Sequence, residues 1–134
     1  MIVVDSSAWI EWLRSTGSAV HRTLGSLVLD GAPLYLSEVV AMELLAGARD
    51  DAEENRLRRG PLGLPLLPLA GVADFEAAAG LYRTCRRAGE TVRSLTDCLV
   101  AVPTIAAGAE LLHADEDFEI LARHTSLRVF PLVQ

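Results

Sequence analysis

The stretch Ile2-Val3-Val4-Asp5-Ser6-Ser7-Ala8-Trp9 decides the fold. Three β-branched apolar residues in a row predict a short buried strand that ends at Asp5. Apolar residues then recur at helical spacing, at Trp9 and Leu13, so a helix is predicted to follow directly. A short buried strand that runs straight into a helix is typical of an α/β protein built on a parallel sheet.

The same alternation continues to the end of the chain. Four further apolar runs, at 33–36, 66–69, 110–114 and 128–130, predict strands that are separated by helical patterns. Right-handed crossovers between such strands produce a mostly parallel sheet. The chain has 134 residues, 51% of them hydrophobic, with no internal repeat and no linker. We therefore expect a single domain over residues 1–134.

Charge and composition exclude several classes of protein. The chain has 12 basic residues, all of them arginine, against 18 acidic ones, and its net charge is −6. Without lysine it has no P-loop and no Schiff-base or Ser-Lys chemistry. No apolar stretch reaches the length of a membrane span, and no signal peptide is recognisable, so we expect a cytoplasmic protein. Cys85 and Cys98 lack any ligand pattern and are predicted to be reduced packing residues.

Acidic residues fall at the ends of the predicted strands. Asp5 follows the first strand, Asp115 and Asp117 follow the fourth, Asp97 lies in the first turn of a helix, and Glu43 lies among apolar helical residues. Ligands of open parallel sheets bind beyond the carboxyl ends of the strands, so we expect at least three of these acids at one edge. Such a cluster repels itself unless protons or hard cations neutralise it. Carboxylates suit Mg²⁺ or Mn²⁺, ions that activate water in phosphodiester cleavage.

Each aspartate also has a purely structural interpretation. Asp5 and Asp115 can be helix N-caps, and Asp117 a first-turn acid that the helix dipole favours. The run Ser94-Leu95-Thr96-Asp97 fits a capping box, in which its aspartate covers a backbone amide. Glu43 is the hardest to explain in this way, because an acid within an apolar helical stretch needs a partner.

Four segments, in order along the chain, resemble the motifs of PIN-domain proteins, in particular the VapC-type toxins of bacterial type II toxin–antitoxin pairs. The first contains Asp-Ser-Ser-Ala after a strand, the second a glutamate within a helix, and the third and fourth an aspartate each. The resemblance extends over essentially the whole chain. The segments are Met1–Ile10, Ser37–Gly47, Arg93–Ala101 and Leu111–Phe118.

The resemblance implies a three-layer α/β/α PIN-like domain with a mostly parallel five-stranded sheet. It implies a metal-dependent endoribonuclease toxin that uses Mg²⁺ or Mn²⁺, cleaves structured RNA such as tRNA or rRNA, and so inhibits translation. The implied partners are an RNA substrate, a VapB-type antitoxin that neutralises the toxin, and a second copy of the chain in a homodimer. Promoter DNA is expected to contact the toxin only indirectly, through the antitoxin, and no membrane is involved.

The resemblance also assigns roles by position. Asp5 and Asp97 correspond to direct metal ligands, and Glu43 and Asp115 complete the catalytic acidic pocket. Asp117 is a further candidate ligand. Two hydroxyls next to the first aspartate are candidates for holding a carboxylate or a water; they belong to Ser6 and Ser7.

Arginines near the predicted site are candidates for RNA contacts. Arg93 lies close to the turn that contains Asp97, and Arg86 and Arg87 end the preceding helix. The forked guanidinium suits phosphates, and phosphate contacts dominate nucleic-acid affinity. A second cluster at 56–59 is interpreted as a solvated helix face.

Two other functions remain open at this point. One is a different carboxylate–metal phosphoesterase on an α/β sheet, since Asp115-Glu116-Asp117 forms an Asp-x-Asp pair. A Toprim-like site would have glutamate in place of Asp5, however, and a phosphatase-like site would have an acid in place of Ser7. The other is a catalytically silent PIN-like module that only binds protein or RNA, with its acids acting as caps.

Overall fold

The computed structural model describes all 134 residues as an α/β protein with five strands, seven α-helices and one short 3₁₀ turn. The strands are β1 (Ile2–Val4), β2 (Leu34–Ser37), β3 (Leu66–Leu67), β4 (Glu110–Leu112) and β5 (Arg128–Val129). The helices are α1 (Ser6–Leu13), α2 (Ala19–Leu29), α3 (Glu38–Ala46), α4 (Asp51–Arg59), α5 (Val72–Arg87), α6 (Leu95–Ala106) and α7 (Glu116–His124).

All neighbouring strands are parallel, in the order β3-β2-β1-β4-β5, so the predicted five-stranded sheet is confirmed. Every residue of the central strand β1 is buried. The chain winds from β1 outward to β3, then crosses back and continues through β4 to β5. With right-handed crossovers, α1–α4 cover one face of the sheet and α5–α7 cover the other, which produces the three layers.

The direction of winding reverses between β1 and β4. Strand β1 continues into α1 on one face and β4 continues into α7 on the other, so the segments after these strands diverge and leave a crevice. The Asp5 N–H donates to the Leu112 carbonyl at 2.9 Å, which extends the β1–β4 pairing up to this edge. Residues that follow β1 and β4 are therefore held side by side.

An aliphatic core of 26 buried residues supports these strand ends. Cys85 and Cys98 are buried free thiols within it, as predicted for packing residues. Helix α6 continues through Pro103, which is itself buried. None of the helices combines the length and the apolar character that a membrane span needs.

Candidate active site at the carboxyl edge of the sheet

The structure brings the five predicted acids together at the edge between β1 and β4. Oxygens of Asp97, Asp115 and Asp117 lie within 4.8 Å of one another. Asp5 and Glu43 lie close enough to interact electrostatically with these acids: burial first, and then the charges of Asp5 and Asp115, raise the pKa of Glu43. The five acids come from five places in the fold: the ends of β1 and β4, the first turns of α6 and α7, and the middle of α3.

Asp5 is both a helix cap and a member of the cluster. Its Oδ2 accepts hydrogen bonds from the Ser7 amide at 3.0 Å and the Ser7 hydroxyl at 2.6 Å, so the N-cap interpretation is confirmed. The side chain is 2% exposed, and its Oδ1 has no hydrogen-bond partner. Capping therefore occupies only one of the two oxygens.

Both predicted supporting hydroxyls contact site carboxylates. The Ser7 hydroxyl donates to Asp5 and accepts from the Ala114 amide at 2.9 Å, which ties the segment after β1 to the segment after β4. The Ser6 hydroxyl donates to Glu43 Oε1 at 3.1 Å. This bond gives the glutamate the partner that its position in an apolar helix requires.

Asp97 lies in the first turn of α6, is 6% exposed, and has an Oδ2 without a hydrogen-bond partner. The capping-box interpretation of this residue is wrong, because the N-cap Ser94 makes no side-chain capping bond. The backbone amides of Arg93 and Ser94 donate instead to Asp117, at 3.0 and 3.1 Å. Another acid therefore holds the start of α6, and Asp97 is not needed as a cap.

Asp115 and Asp117 combine structural bonds with membership of the cluster. Asp115 caps α7 through its Oδ1, which accepts from the Asp117 amide at 3.0 Å, as predicted. Asp117 is 1% exposed, and each of its oxygens accepts one of the two amides at the start of α6. Its bonds fasten α6, and with it Asp97, to the end of β4.

The acids of the cluster differ in the direction in which their pKa values are shifted. Burial, followed by contact with Asp117 and the charges of its acidic neighbours, raises the pKa of Asp97 to about 9. Burial is also the main cause that raises the pKa of Asp5. Burial would raise the pKa of Asp117 as well, but the hydrogen bonds it accepts outweigh burial and lower it.

The donor set fits a hard divalent cation. The two buried oxygens without a partner, Asp5 Oδ1 and Asp97 Oδ2, each carry a desolvation cost of roughly 1–3 kcal/mol. All donors in the cluster are carboxylate oxygens, and Mg²⁺ and Mn²⁺ prefer oxygen ligands of this kind. A cation held at the neighbouring oxygens of Asp97, Asp115 and Asp117 would relieve the repulsion between the acids.

The profile of the PIN domain matches residues 2–124. The chain belongs to the PIN domain family. This PIN-domain protein is 46% identical over 129 residues to Ribonuclease VapC11 of Mycobacterium tuberculosis strain H37Rv, with 96% of each chain covered, and is of the VapC type. Membership of the family excludes the Toprim-like and phosphatase-like alternatives.

Two solved structures share the fold of this PIN-domain protein. FitAB bound to an IR36 DNA fragment has a TM-score of 0.75 at 20% identity, with 97% of this chain and 94% of that chain covered. VapBC2 from Rickettsia felis, bound to a DNA fragment from its promoter, has a TM-score of 0.73 at 16% identity, with 97% and 98% covered. The α/β PIN-like fold predicted from the sequence is thus confirmed.

Only one of the three arginines predicted to contact RNA lies at the acid cluster of this PIN-domain protein. The exposed guanidinium of Arg93 lies 3.4 Å from Asp115 Oδ1 and 3.6 Å from Asp117 Oδ1. Arg86 lies over the Tyr82 ring on α5, and neither Arg86 nor its neighbour Arg87 forms an ion pair with a site acid.

Two features of the site were missed by sequence reasoning. The hydrogen bonds of Asp117 to the start of α6 join residues that are 23 and 24 positions apart, and no local sequence pattern predicts them. A groove beside Glu43 is lined by Arg14 and Arg56, which lie far apart along the chain. The basic cluster at 56–59 was visible in the sequence, but its link to the site depends on the packing of α4.

Proposed function

We propose that this VapC-type protein is a metal-dependent endoribonuclease toxin that cleaves structured RNA such as tRNA or rRNA and thereby inhibits translation. The observation that carries the proposal is the pair of buried, partnerless oxygens of Asp5 and Asp97. The 46% identity to a chain named Ribonuclease VapC11 supports RNA as the substrate. Residues 1–134 would act as one nuclease domain.

Asp5 and Asp97 would hold Mg²⁺ or Mn²⁺ directly, and Glu43, Asp115 and Asp117 would complete the metal-binding pocket. When bound, the ion supplies Lewis acidity at the scissile phosphate and lowers the pKa of the attacking water. The chain contains no lysine, so the positive charge at the phosphate would come from the ion and from arginine.

The remaining site residues would position the reacting groups. Ser6 holds one oxygen of Glu43, so the other can orient the attacking water and accept its proton. Ser7 fixes Asp5 against the segment after β4, and Asp117 fixes the first turn of α6. Arg93 lies at the exposed rim, where it can exchange its carboxylate partners for an RNA phosphate.

The same proposal includes partners. A VapB-type antitoxin would neutralise the toxin in the cytoplasm, and promoter DNA would be contacted through that antitoxin. The antitoxin is part of the proposal by family resemblance, and FitAB and VapBC2, which are both bound to DNA fragments, support the contact with promoter DNA. A homodimer is part of the proposal by family resemblance.

The decisive experiment compares the purified wild type with Asp97→Asn on a mixture of tRNA and rRNA in Mn²⁺. We expect the wild type to cleave and to stop cleaving in EDTA, and Asp97→Asn to lose about 10²-fold or more in rate. Asp30→Asn is the matched control, because Asp30 is an exposed aspartate at the end of α2. Cleavage that continues in EDTA contradicts the metal-dependent mechanism, as do equal cleavage rates for Asp97→Asn and Asp30→Asn.

The catalytically silent module is tested by the same preparation. It would bind the RNA without any Mn²⁺-dependent cleavage, and its expression would arrest growth equally with aspartate or asparagine at position 97. Sequencing of cleaved RNA ends after induced expression distinguishes the two functions, because only a nuclease produces ends that disappear in Asp97→Asn.

A further inference from the structure

A groove of about 480 Å³ opens on the α3 side of the acid cluster. Glu43 belongs to both, so the groove begins at the site and runs between α1, α3 and the start of α4. Its volume lies within the range of ligand-binding clefts, roughly 300–1,000 Å³. Any strand whose scissile phosphate lies at the acids must place its neighbouring nucleotides somewhere along this edge.

The charges in the groove leave a surplus of arginine. Arg49 forms a bidentate pair with Glu53, through Nε and Nη2 to Oε1 at 3.0 and 2.8 Å. Arg14 and Arg56 also line the groove, are exposed, and form no ion pair within 4.0 Å. Two free guanidinium groups thus lie in a groove that starts at an acidic cluster.

The rest of the groove is apolar. Ile10 and Leu13 of α1 line it and are 37% and 41% exposed, and the buried Leu44 and Leu57 lie beneath. Apolar side chains beside arginines without an ion pair suit a group that has both a hydrophobic face and a negative charge. A nucleotide is such a group, because its base has an apolar face and its phosphate accepts the guanidinium fork.

We propose that this groove binds one nucleotide of a single-stranded RNA segment next to the scissile phosphate, with its phosphate on Arg14 and Arg56 and its base on Ile10 and Leu13. The inference rests on the proposed function, whose acid cluster it extends. It makes Arg14 and Arg56 binding residues for the substrate. It also explains how a chain of net charge −6 can present locally free positive charge to an RNA strand.

An anion fits this groove better than an acid-poor peptide does, because neither Arg14 nor Arg56 forms an ion pair within 4.0 Å. The pKa of the groove carboxylate Glu53 is lowered mainly by Arg49 and only secondarily by the charge of Arg56. The apolar wall of the groove favours a single strand over a duplex. Bases in a duplex are stacked and paired, so only an unpaired loop or end can turn its base onto an apolar wall.

The test measures binding separately from cleavage. A fluorescein-labelled single-stranded oligoribonucleotide is titrated by anisotropy against the Asp97→Asn protein, with and without Arg14→Gln plus Arg56→Gln. We expect the double substitution to weaken binding about tenfold, or about 1.4 kcal/mol. The slope of log K against log salt should fall by about 0.7, the value for one neutralised phosphate on a single strand.

Two further variants separate charge from apolar contact. Leu13→Ser should weaken binding about threefold without changing the salt slope, because it removes apolar contact and no charge. Arg59→Gln is the matched control, because Arg59 is an exposed arginine of α4 that does not line the groove. Thermal melting of each variant checks that the fold is retained.

An affinity and a salt slope equal to those of the parent protein would overturn the inference, as would an equal loss in Arg59→Gln. Failure of the proposed function gives a different result. A wild type that cleaves no RNA in Mn²⁺ contradicts the nuclease, whereas the anisotropy titration still decides whether the groove holds RNA.

Discussion

Glu90 and Asp97 are two carboxylates in opposite environments. Glu90, after α5, accepts two hydrogen bonds from Arg123 at 3.0 and 2.6 Å and faces His124 at 2.7 Å. These partners lower its pKa to about 2. Asp97 lies among other acids, and burial, followed by the interactions with those acids, raises its pKa to about 9. One environment favours the charged carboxylate, and the other penalises it.

The comparison separates carboxylates that stabilise the fold from carboxylates that are available to bind a ligand. Glu90 ties the end of α5 to α7 with partners that the chain itself supplies, so its charge is compensated in the folded state. The acids at the end of β1 and at the start of α6 lack such partners, and repulsion of this kind persists where a ligand offsets it. The effects expected from this division decrease from metal binding at Asp97 to the loss of one ion pair at Glu90.

The largest effect concerns metal binding at Asp5 and Asp97. Mn²⁺ at about 100 times its dissociation constant should stabilise the wild type by about 2.7 kcal/mol, and Asp97→Asn should lose most of this gain. Thermal melting with increasing Mn²⁺ measures it. A series in NaCl at equal ionic strength is the control, because general screening also weakens repulsion between acids. Equal shifts in NaCl and Mn²⁺ would argue against a specific site.

Asp117→Asn should destabilise the metal-free protein by about 1–3 kcal/mol. The amide places a donor beside two backbone amides that both need an acceptor, so at least one of the bonds to the start of α6 is lost. Urea unfolding in EDTA measures the change, with Asp30→Asn as the control for loss of one exposed charge. An unchanged midpoint would mean that these bonds contribute little to the hold on α6.

Asp97→Asn should change stability in the opposite direction and raise that of the metal-free protein by about 1 kcal/mol at neutral pH. The raised pKa means that folded Asp97 keeps a proton that the unfolded chain has released, and asparagine avoids this cost. The same urea experiment in EDTA measures it. If both substitutions destabilise equally, the acids at this edge do not differ in the way the structure indicates.

The smallest effect belongs to Glu90→Gln. The pKa of Glu90 is lowered from 4.5 to about 2, so its contribution to stability is full above about pH 4.5 and is lost as pH falls towards 2. The wild type should therefore lose its advantage over Glu90→Gln across that range. Unfolding midpoints at several pH values measure it, and high salt should shrink the difference because Arg123 and Glu90 are both partly exposed to solvent.

Much of the fold could be predicted from the sequence because the signals are local. The β-branched run 2–4 predicts a buried strand, and Asp5 and Asp115 act as N-caps over a span of two residues. Ser6 and Ser7 adjoin the first motif aspartate, and their hydroxyls donate to Glu43 and Asp5 respectively. Each of these interactions depends on residues that are close along the chain.

Other features of the site depend on residues that lie far apart along the chain. The capping box at 94–97 was wrong because Asp117, distant in sequence, accepts from the Ser94 amide that Asp97 would have capped, as well as from the Arg93 amide before it. Arg86 and Arg87 follow the same reasoning as Arg93 in the sequence, but only Arg93 forms ion pairs with site acids. Local sequence patterns cannot show which residue, distant along the chain, forms a hydrogen bond or an ion pair with a given amide or carboxylate.

The sequence by itself determined the strands, the helices, the caps and the five acids, because periodicity and capping act between near neighbours. Tertiary structure decided the strand order β3-β2-β1-β4-β5 and the side-by-side placement of the ends of β1 and β4. It also decided that Asp5 and Asp97 each keep one buried oxygen without a partner, whereas Asp117 keeps none. The reason is physical: burial and repulsion depend on distances that only the packed fold establishes.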